Sequence, residues 1–145
     1  MNITVIAASR VKSDSHVGKL IAEYAKRFTT VRLNMVDFDE KNLSQQKINE
    51  KIFTLIKPNS YKILLDERGA NPSTMQLKNF LSDIDKPIAF LIAGSDGFLP
   101  EYKKQADYML SLSSLTFPHQ IARLLLVEQL YRVQSIIQGH PYHRT

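Results

Sequence analysis

The chain has 145 residues, no cysteine and a formal net charge of +5. That length suits one domain, residues 1–145, with its own core; the missing cysteine excludes disulfides, thiolate metal sites and thiol nucleophiles, and fits a reducing cytoplasm. The excess of Lys and Arg suits a polyanionic partner, nucleic acid first, against the plainer reading of a solvated basic surface.

No apolar run is long enough to span a bilayer, and the first residues carry no signal segment, so no membrane partner is expected. In chain order, ITVIAAS (Ile3 to Ser9) reads as a buried strand, apolar and rich in β-branched residues. Asp14 or Ser15 can cap a helix whose apolar stripe runs through Val17, Leu20, Ile21, Tyr24, Ala25 and Phe28. VRLNMVDF (Val31 to Phe38) alternates like a second strand, and Ser44 opens a helix with Ile48, Ile52, Leu55 and Ile56 on one face. YKILLD (Tyr61 to Asp66) is a third strand, followed by ERGANP as a loop. Ser73 and Gln76 stand at capping-box spacing before a helix carrying Met75, Phe80, Leu81 and Ile84. PIAFLIAG (Pro87 to Gly94) is continuously apolar, the mark of a strand covered on both faces.

Alternating strands and helices predict an α/β fold, a mostly parallel sheet flanked by helices. Ligands of such sheets sit outside the carboxyl ends of the strands, which singles out the loops after Leu65 and after Ala93. Further on, Pro100 suits the first turn of a short helix, and Tyr108 to Leu112 reads as a short strand. MLSLSSLTFPH (Met109 to His119) mixes leucines with hydroxyls without helical period, either as a pocket-lining loop or as a plain βα connection. Gln120 to Gln138 predicts a long helix, apolar at Ile121, Leu124, Leu125, Leu130, Tyr131, Ile136 and Ile137; so broad a surface is either buried or shared with a partner chain. Gly139 stops it. The chain then ends GHPYHRT, unusually rich in chemistry for a terminus.

Generic motifs are missing. AASRVKS follows the first strand where a GxGxxG would stand, and there is no P-loop, HExxH or GxSxG. Four histidines without cysteine make no expected metal site.

LTFPHQIARLLLVEQLYRV and the ending HPYHR, within Ser111 to Thr145, carry a specific resemblance. They resemble the RlmH family of SPOUT-class methyltransferases, which methylate N3 of a pseudouridine in large-subunit ribosomal RNA on the assembled ribosome. The resemblance implies a SPOUT-type sheet whose C-terminal part is threaded into a deep trefoil knot, a rare exception to the rule against threaded loops. It also implies a homodimer, and S-adenosylmethionine (SAM) as cofactor, bound at the knot. Carried over, Leu65, Gly94, Leu112, Ser113, Ser114, Leu115, Thr116 and Phe117 are the expected cofactor-binding residues. The tail is expected over a cofactor pocket, reaching toward the partner subunit's site. His143, Arg144 and Tyr142 are then candidate catalytic residues, and Arg132, His140, Tyr142 and Arg144 candidates for holding the RNA. Arg can clamp a phosphate or base edge, Tyr and His can stack on an unpaired base, and His143 or a water can take the N3 proton.

Several residues keep a plainer reading. Arg132 stands four residues after Glu128, spacing that suits an ion pair along one helix face. Arg123 reads as an unrelated surface group, His119 as a structural helix-start residue and Asp66 as a strand end. Family members carry a GGPEG-like turn where this chain has AGSDG, Ala93 to Gly97. Alanine in a glycine's place restricts positive φ, and losing the proline leaves the turn less rigid. That departure keeps open a second reading, a SPOUT-fold ribosomal-RNA binder with impaired SAM binding.

Overall fold

The computed structural model describes residues 1–144; Thr145, the last residue of the expected domain and tail, lies outside the described residues. Five strands form the sheet: β1 (Asn2–Ala7), β2 (Arg32–Asp37), β3 (Tyr61–Ala70), β4 (Ile88–Ile92) and β5 (Tyr108–Leu110). All neighbouring strands run parallel, in the order β2-β1-β4-β3-β5. The helices are α1 (His16–Ala25), α2 (Gln45–Thr54), α3 (Thr74–Ser82), α4 (Pro100–Lys103) and α5 (His119–Gln138).

The alternation of side chains along β4 divides the core. Ile88, Phe90 and Ile92 point to the layer holding Leu77 and Leu81 of α3 and Leu126, Leu130 and Val133 of α5. Ala89, Leu91 and Ala93 point to the layer holding Ile48 and Ile52 of α2 and Tyr102 of α4. A strand covered on both faces needs apolar residues at every position, which is why this segment is an unbroken apolar run.

The helix starts follow their capping residues. Ser15 accepts from the Gly18 amide, Ser44 from Lys47, and Ser73 from Gln76, whose own side chain closes the capping box. Pro100 occupies the first turn of α4, and Gly139 ends α5 at φ 70°, a left-handed conformation that favours glycine.

Two expectations change. ERGANP is only partly loop: the strand continues to Ala70, because Leu65 and Ala70 both pair with Leu110 and the residues between them bulge out of the ladder. The Arg68 amide donates to Asp66 Oδ1 at 2.9 Å, turning the bulge. At Gly69 any Cβ would collide with the Met109 carbonyl, so glycine is what lets β3 close on β5 again.

Arg123 is not a surface group. It is 4% exposed, and its guanidinium reaches from α5 across the strand ends to Asp37 Oδ2 (2.8 Å) and to the Ser9 carbonyl. This clamp fixes the first turns of α5 over β1 and β2. Arg123→Ala leaves Asp37 and the Ser9 carbonyl without their donor and is expected to cost about 3 kcal/mol, read as a lower urea midpoint. Gln134 fixes the far end: its Oε1 accepts from the Thr29 and Val31 amides, and its Nε2 donates to the Arg27 carbonyl.

Candidate active site

At the carboxyl ends of β3, β4 and β5 lies a cavity of about 550 Å³. Three segments wall it: the bulge after Leu65, the turn after Ile92, and residues 110–117 leading into α5. Both loops singled out from the strand pattern are therefore in its wall. Of the expected cofactor residues, Leu65, Gly94, Leu112, Ser113, Leu115, Thr116 and Phe117 line it. Ser114 does not: the Leu115 amide donates to Ser113 Oγ (3.0 Å), and the turn so formed leaves Ser114 exposed.

Side-chain hydrogen bonds hold the wall together. Thr116 Oγ1 donates to Glu67 Oε2 at 2.9 Å, joining the 110–117 segment to the bulge. Asn71 Nδ2 donates to the Ser111 carbonyl at 2.9 Å, and Ser111 Oγ donates to the Ser113 carbonyl. Lys103 meets Asp66 Oδ2 at 2.9 Å. Burial raises the Asp66 pKa, but the Arg68 amide and the Lys103 ammonium outweigh it and hold the carboxyl below the ordinary aspartate value. Asp66 thus stays ionised at neutral pH.

Asp66, Glu67, Lys103 and His119 line the cavity, although their sequence context suggested only structural roles for Asp66 and His119. Asp66 and Glu67 could have been found, since they directly follow Leu65. Lys103 is the first of two adjacent lysines at the end of a four-residue helix, and no pattern marks it.

The AGSDG turn removes one concern about the sequence. Ala93 does not adopt positive φ; in this turn only Gly97 does, at 73°. The alanine methyl therefore imposes no backbone strain at Ala93.

The wall fits SAM. The volume lies in the range of small-molecule sites. Leu65, Ile92, Leu112 and Phe117 give an apolar surface for the adenine ring, Ser113 and Thr116 bring hydroxyls, and Asp66, Glu67 and Asp96 bring negative charge to a cationic ligand. Among the described residues no three His, Asp or Glu side chains converge as a metal site, and no helix is long and apolar enough to cross a membrane.

The described tail residues, 139–144, do not line the cavity of their own chain. After Gly139 the tail folds back along the α1–α5 face. The His140 amide donates to the Ser135 carbonyl at 2.8 Å, and the Tyr142 ring packs edge-on against Tyr131, centroids 4.7 Å apart. Tyr142 Oη donates to Glu128 Oε1 (3.1 Å), so the Tyr24 hydroxyl, also at 3.1 Å, supplies the other proton. Glu128 also accepts from Arg132 Nε at 2.5 Å, as their four-residue spacing suggested. The Arg132 guanidinium sits 4.9 Å from the Tyr142 ring centroid and 3.3 Å from His143 Nδ1. His140 is exposed, its Nδ1 accepting from the Tyr142 amide. Arg144 is exposed and makes no hydrogen bond or ion pair among the described residues.

These contacts define what each group can do. Burial first, then the contacts with Tyr24 and Glu128, raise the Tyr142 pKa well above the ordinary tyrosine value. Tyr142 therefore remains a protonated phenol at neutral pH and can donate or stack but not act as a base. Arginine only donates, so its contact makes His143 Nδ1 the acceptor and places the neutral ring's proton on Nε2.

The described geometry is that of a parallel α/β sheet with an open pocket at its strand ends, and comparison with known proteins agrees. Residues 1–143 match the family model described as "Predicted SPOUT methyltransferase". A protein named Ribosomal RNA large subunit methyltransferase H from Carboxydothermus hydrogenoformans is 35% identical, the alignment covering 99% of this chain and 100% of that one. Proteins of the same name from Neisseria meningitidis serogroup C and Laribacter hongkongensis are each 38% identical, with 99% of both chains covered. A match running from the first strand into the tail makes this chain a member of the SPOUT methyltransferase family, and thus a SAM-dependent methyltransferase.

Proposed function

We propose that this protein methylates N3 of a pseudouridine in large-subunit ribosomal RNA within the ribosome, working in the cytoplasm as a homodimer. The observation that carries this reading is the separation of two ordered halves of one site. The cavity gathers seven of the expected cofactor residues, while the HPYHR tail is held on another face of the same chain by Glu128, Tyr24 and Arg132. A second copy brings the two halves together if its tail meets this cavity. The half-exposed Ile121, Leu124 and Leu125 of α5, and Leu115, 69% exposed, support such a pairing. The names of the relatives support the RNA. The family's trefoil knot belongs to the same reading, with residues 110–118 as the threaded segment.

Bound SAM supplies an electrophilic methyl on its sulfonium. Leu65, Gly94, Leu112 and Phe117 would hold the adenosine part and exclude water, and Asp66 and Asp96 would face its positive charge. The partner's tail would place the base: Tyr142 by stacking and donating, and His140 by stacking on a neighbouring base. Arg144 and Arg132 bring positive charge that lowers the pKa of the imide at N3. As His143 is held, its Nε2 carries a proton, so it donates to a base carbonyl while a water takes the proton from N3.

The test offers labelled SAM with three acceptors: intact ribosomes lacking the modification, protein-free ribosomal RNA, and transfer RNA. Label is expected on the ribosomes far above the other two. Preferential labelling of transfer RNA would overturn the substrate reading. No detectable SAM binding, with no transfer to any acceptor, would favour the alternative, a ribosomal-RNA binder with impaired SAM binding.

A further inference from the structure

The turn at residues 94–98 presents one side to the cavity and the other to α2. Its back is held almost entirely by α2 side chains. Asn49 is fully buried; its Nδ2 donates to the Gly97 carbonyl (3.2 Å) and its Oδ1 accepts from the Leu99 amide (2.8 Å). Gln45 Nε2 donates to the carbonyls of Asp96 (2.8 Å) and Gly97 (3.3 Å). Neither residue lines the cavity. Within the turn itself, the only backbone bond is from the Gly97 amide to the Gly94 carbonyl, at 3.1 Å. Ser95 Oγ adds a long contact to Glu40 Oε1, at 3.4 Å.

We propose that Asn49, assisted by Gln45, is a positioning residue for the cofactor: it holds the 94–99 backbone in its binding shape from behind. The physical case is preorganisation. AGSDG has no proline to limit its backbone, and Gly97 sits at positive φ with nothing near it where a Cβ would project. An unbraced turn of this kind would sample many shapes, and ordering it on binding would subtract from affinity. A fully buried amide is the right brace: its Oδ1 satisfies the Leu99 amide, which has no other partner among the described residues, and its Nδ2 shares the Gly97 carbonyl with Gln45. Asn49 is also set one residue after Ile48, which packs in the core beside Ala93 and Phe98. Helix and turn are thus joined by both side-chain hydrogen bonds and core packing.

This inference rests on the cavity being the SAM site, and the experiment separates the two. SAM affinity is measured by calorimetry for wild type, Asn49→Asp, Gln45→Ala and the cavity-wall variant Phe117→Ala. Asn49→Asp keeps the acceptor for Leu99 but sets an oxygen against the Gly97 carbonyl. It is expected to weaken SAM binding about tenfold, and Gln45→Ala about threefold. KM for SAM should rise in parallel while kcat at saturating SAM stays within about twofold. In the ligand-free protein, amide hydrogen exchange of residues 95–99 should quicken in Asn49→Asp and not elsewhere in the sheet. If Asn49→Asp fails to fold, Gln45→Ala, at the start of α2, carries the same test. Unchanged affinity in both folded brace variants, with Phe117→Ala weakened, overturns the positioning role. Unchanged affinity in Phe117→Ala as well, with wild type binding normally, places the SAM site elsewhere. A fall in thermal stability and kcat with KM for SAM unchanged reduces Asn49 to a structural residue and also overturns the proposal.

Discussion

Ending the chain at Gly139 is expected to lower kcat for methyl transfer by at least about 100-fold while leaving SAM affinity nearly unchanged. The two effects separate because none of the described tail residues lines the cavity of its own chain. The loss should be catalytic rather than structural: α5 ends at Gly139 with its own cap, and the tail packs on the finished α1–α5 face. Truncation also removes the Tyr142–Tyr131 stack, the Tyr142–Glu128 hydrogen bond and the His140 amide's bond to the Ser135 carbonyl, so a fall in stability of about 2 kcal/mol is expected, too little to unfold the domain. Single substitutions refine this. Arg144→Ala, at an exposed residue without a hydrogen bond or ion pair among the described residues, is expected to lower kcat/KM on ribosomes about tenfold or more at unchanged stability. Tyr142→Phe removes the proton given to Glu128 but keeps the ring, and should cost less than truncation. Mixed dimers of a truncated chain with a cavity-dead chain test the arrangement across subunits. They should regain part of the activity, because one intact cavity then meets one intact tail. No recovery in proven mixed dimers would mean that each chain serves its own cavity.

Phe117→Ala should weaken SAM binding about thirtyfold, the equivalent of about 2 kcal/mol for removing one large apolar wall from a site that excludes water. Phe117 is half-buried in the free protein and ends the segment that Thr116 ties to Glu67. Its loss opens the cavity without touching the strands, so unfolding in urea should change little. The same variant at saturating SAM should recover most of its kcat, since the tail that receives the RNA is untouched. A loss of kcat that saturating SAM does not rescue would assign Phe117 to the base rather than to the cofactor.

The strands were legible because their chemistry is local. A run such as IAFLI is apolar on both faces only in a strand buried on both faces, and β4 is that strand. The helix starts were legible from Ser15, Ser44 and Ser73, each of which caps through its own hydroxyl. The face of α5 was not. The sequence suggested Ile121, Leu124, Leu125, Tyr131, Ile136 and Ile137, yet apart from Leu130 the fully buried positions are Leu126, Val127 and Val133, together with Arg123, Gln134 and Ser135. A helix apolar around much of its circumference has no single stripe to read, and its buried Arg123 and Gln134 depend on partners more than 80 residues away, such as Asp37 for Arg123. The bulge in β3 was missed for a similar reason: ERGA looks like a loop, and only the backbone of β5 makes it strand again.

The candidate site was legible in part. The position of loops at strand ends pointed to the residues after Leu65 and Ala93, and the family resemblance supplied residues 112–117 and the tail. Asp66 and Glu67 were within reach, since they directly follow Leu65, but Lys103 and the Asn49 brace have no sequence signature, because their roles come from juxtaposition in the fold.

The most direct test of the central claim is the position of the methyl group. Ribosomes lacking the modification are treated with the purified protein and labelled SAM, and the large-subunit RNA is digested and sequenced by mass spectrometry. One methyl at N3 of a single pseudouridine is the expected result, absent from the chain ended at Gly139 and reduced by Phe117→Ala at low SAM. Methylation at another atom or another nucleotide, or none on ribosomes that a known relative modifies in parallel, would contradict the account.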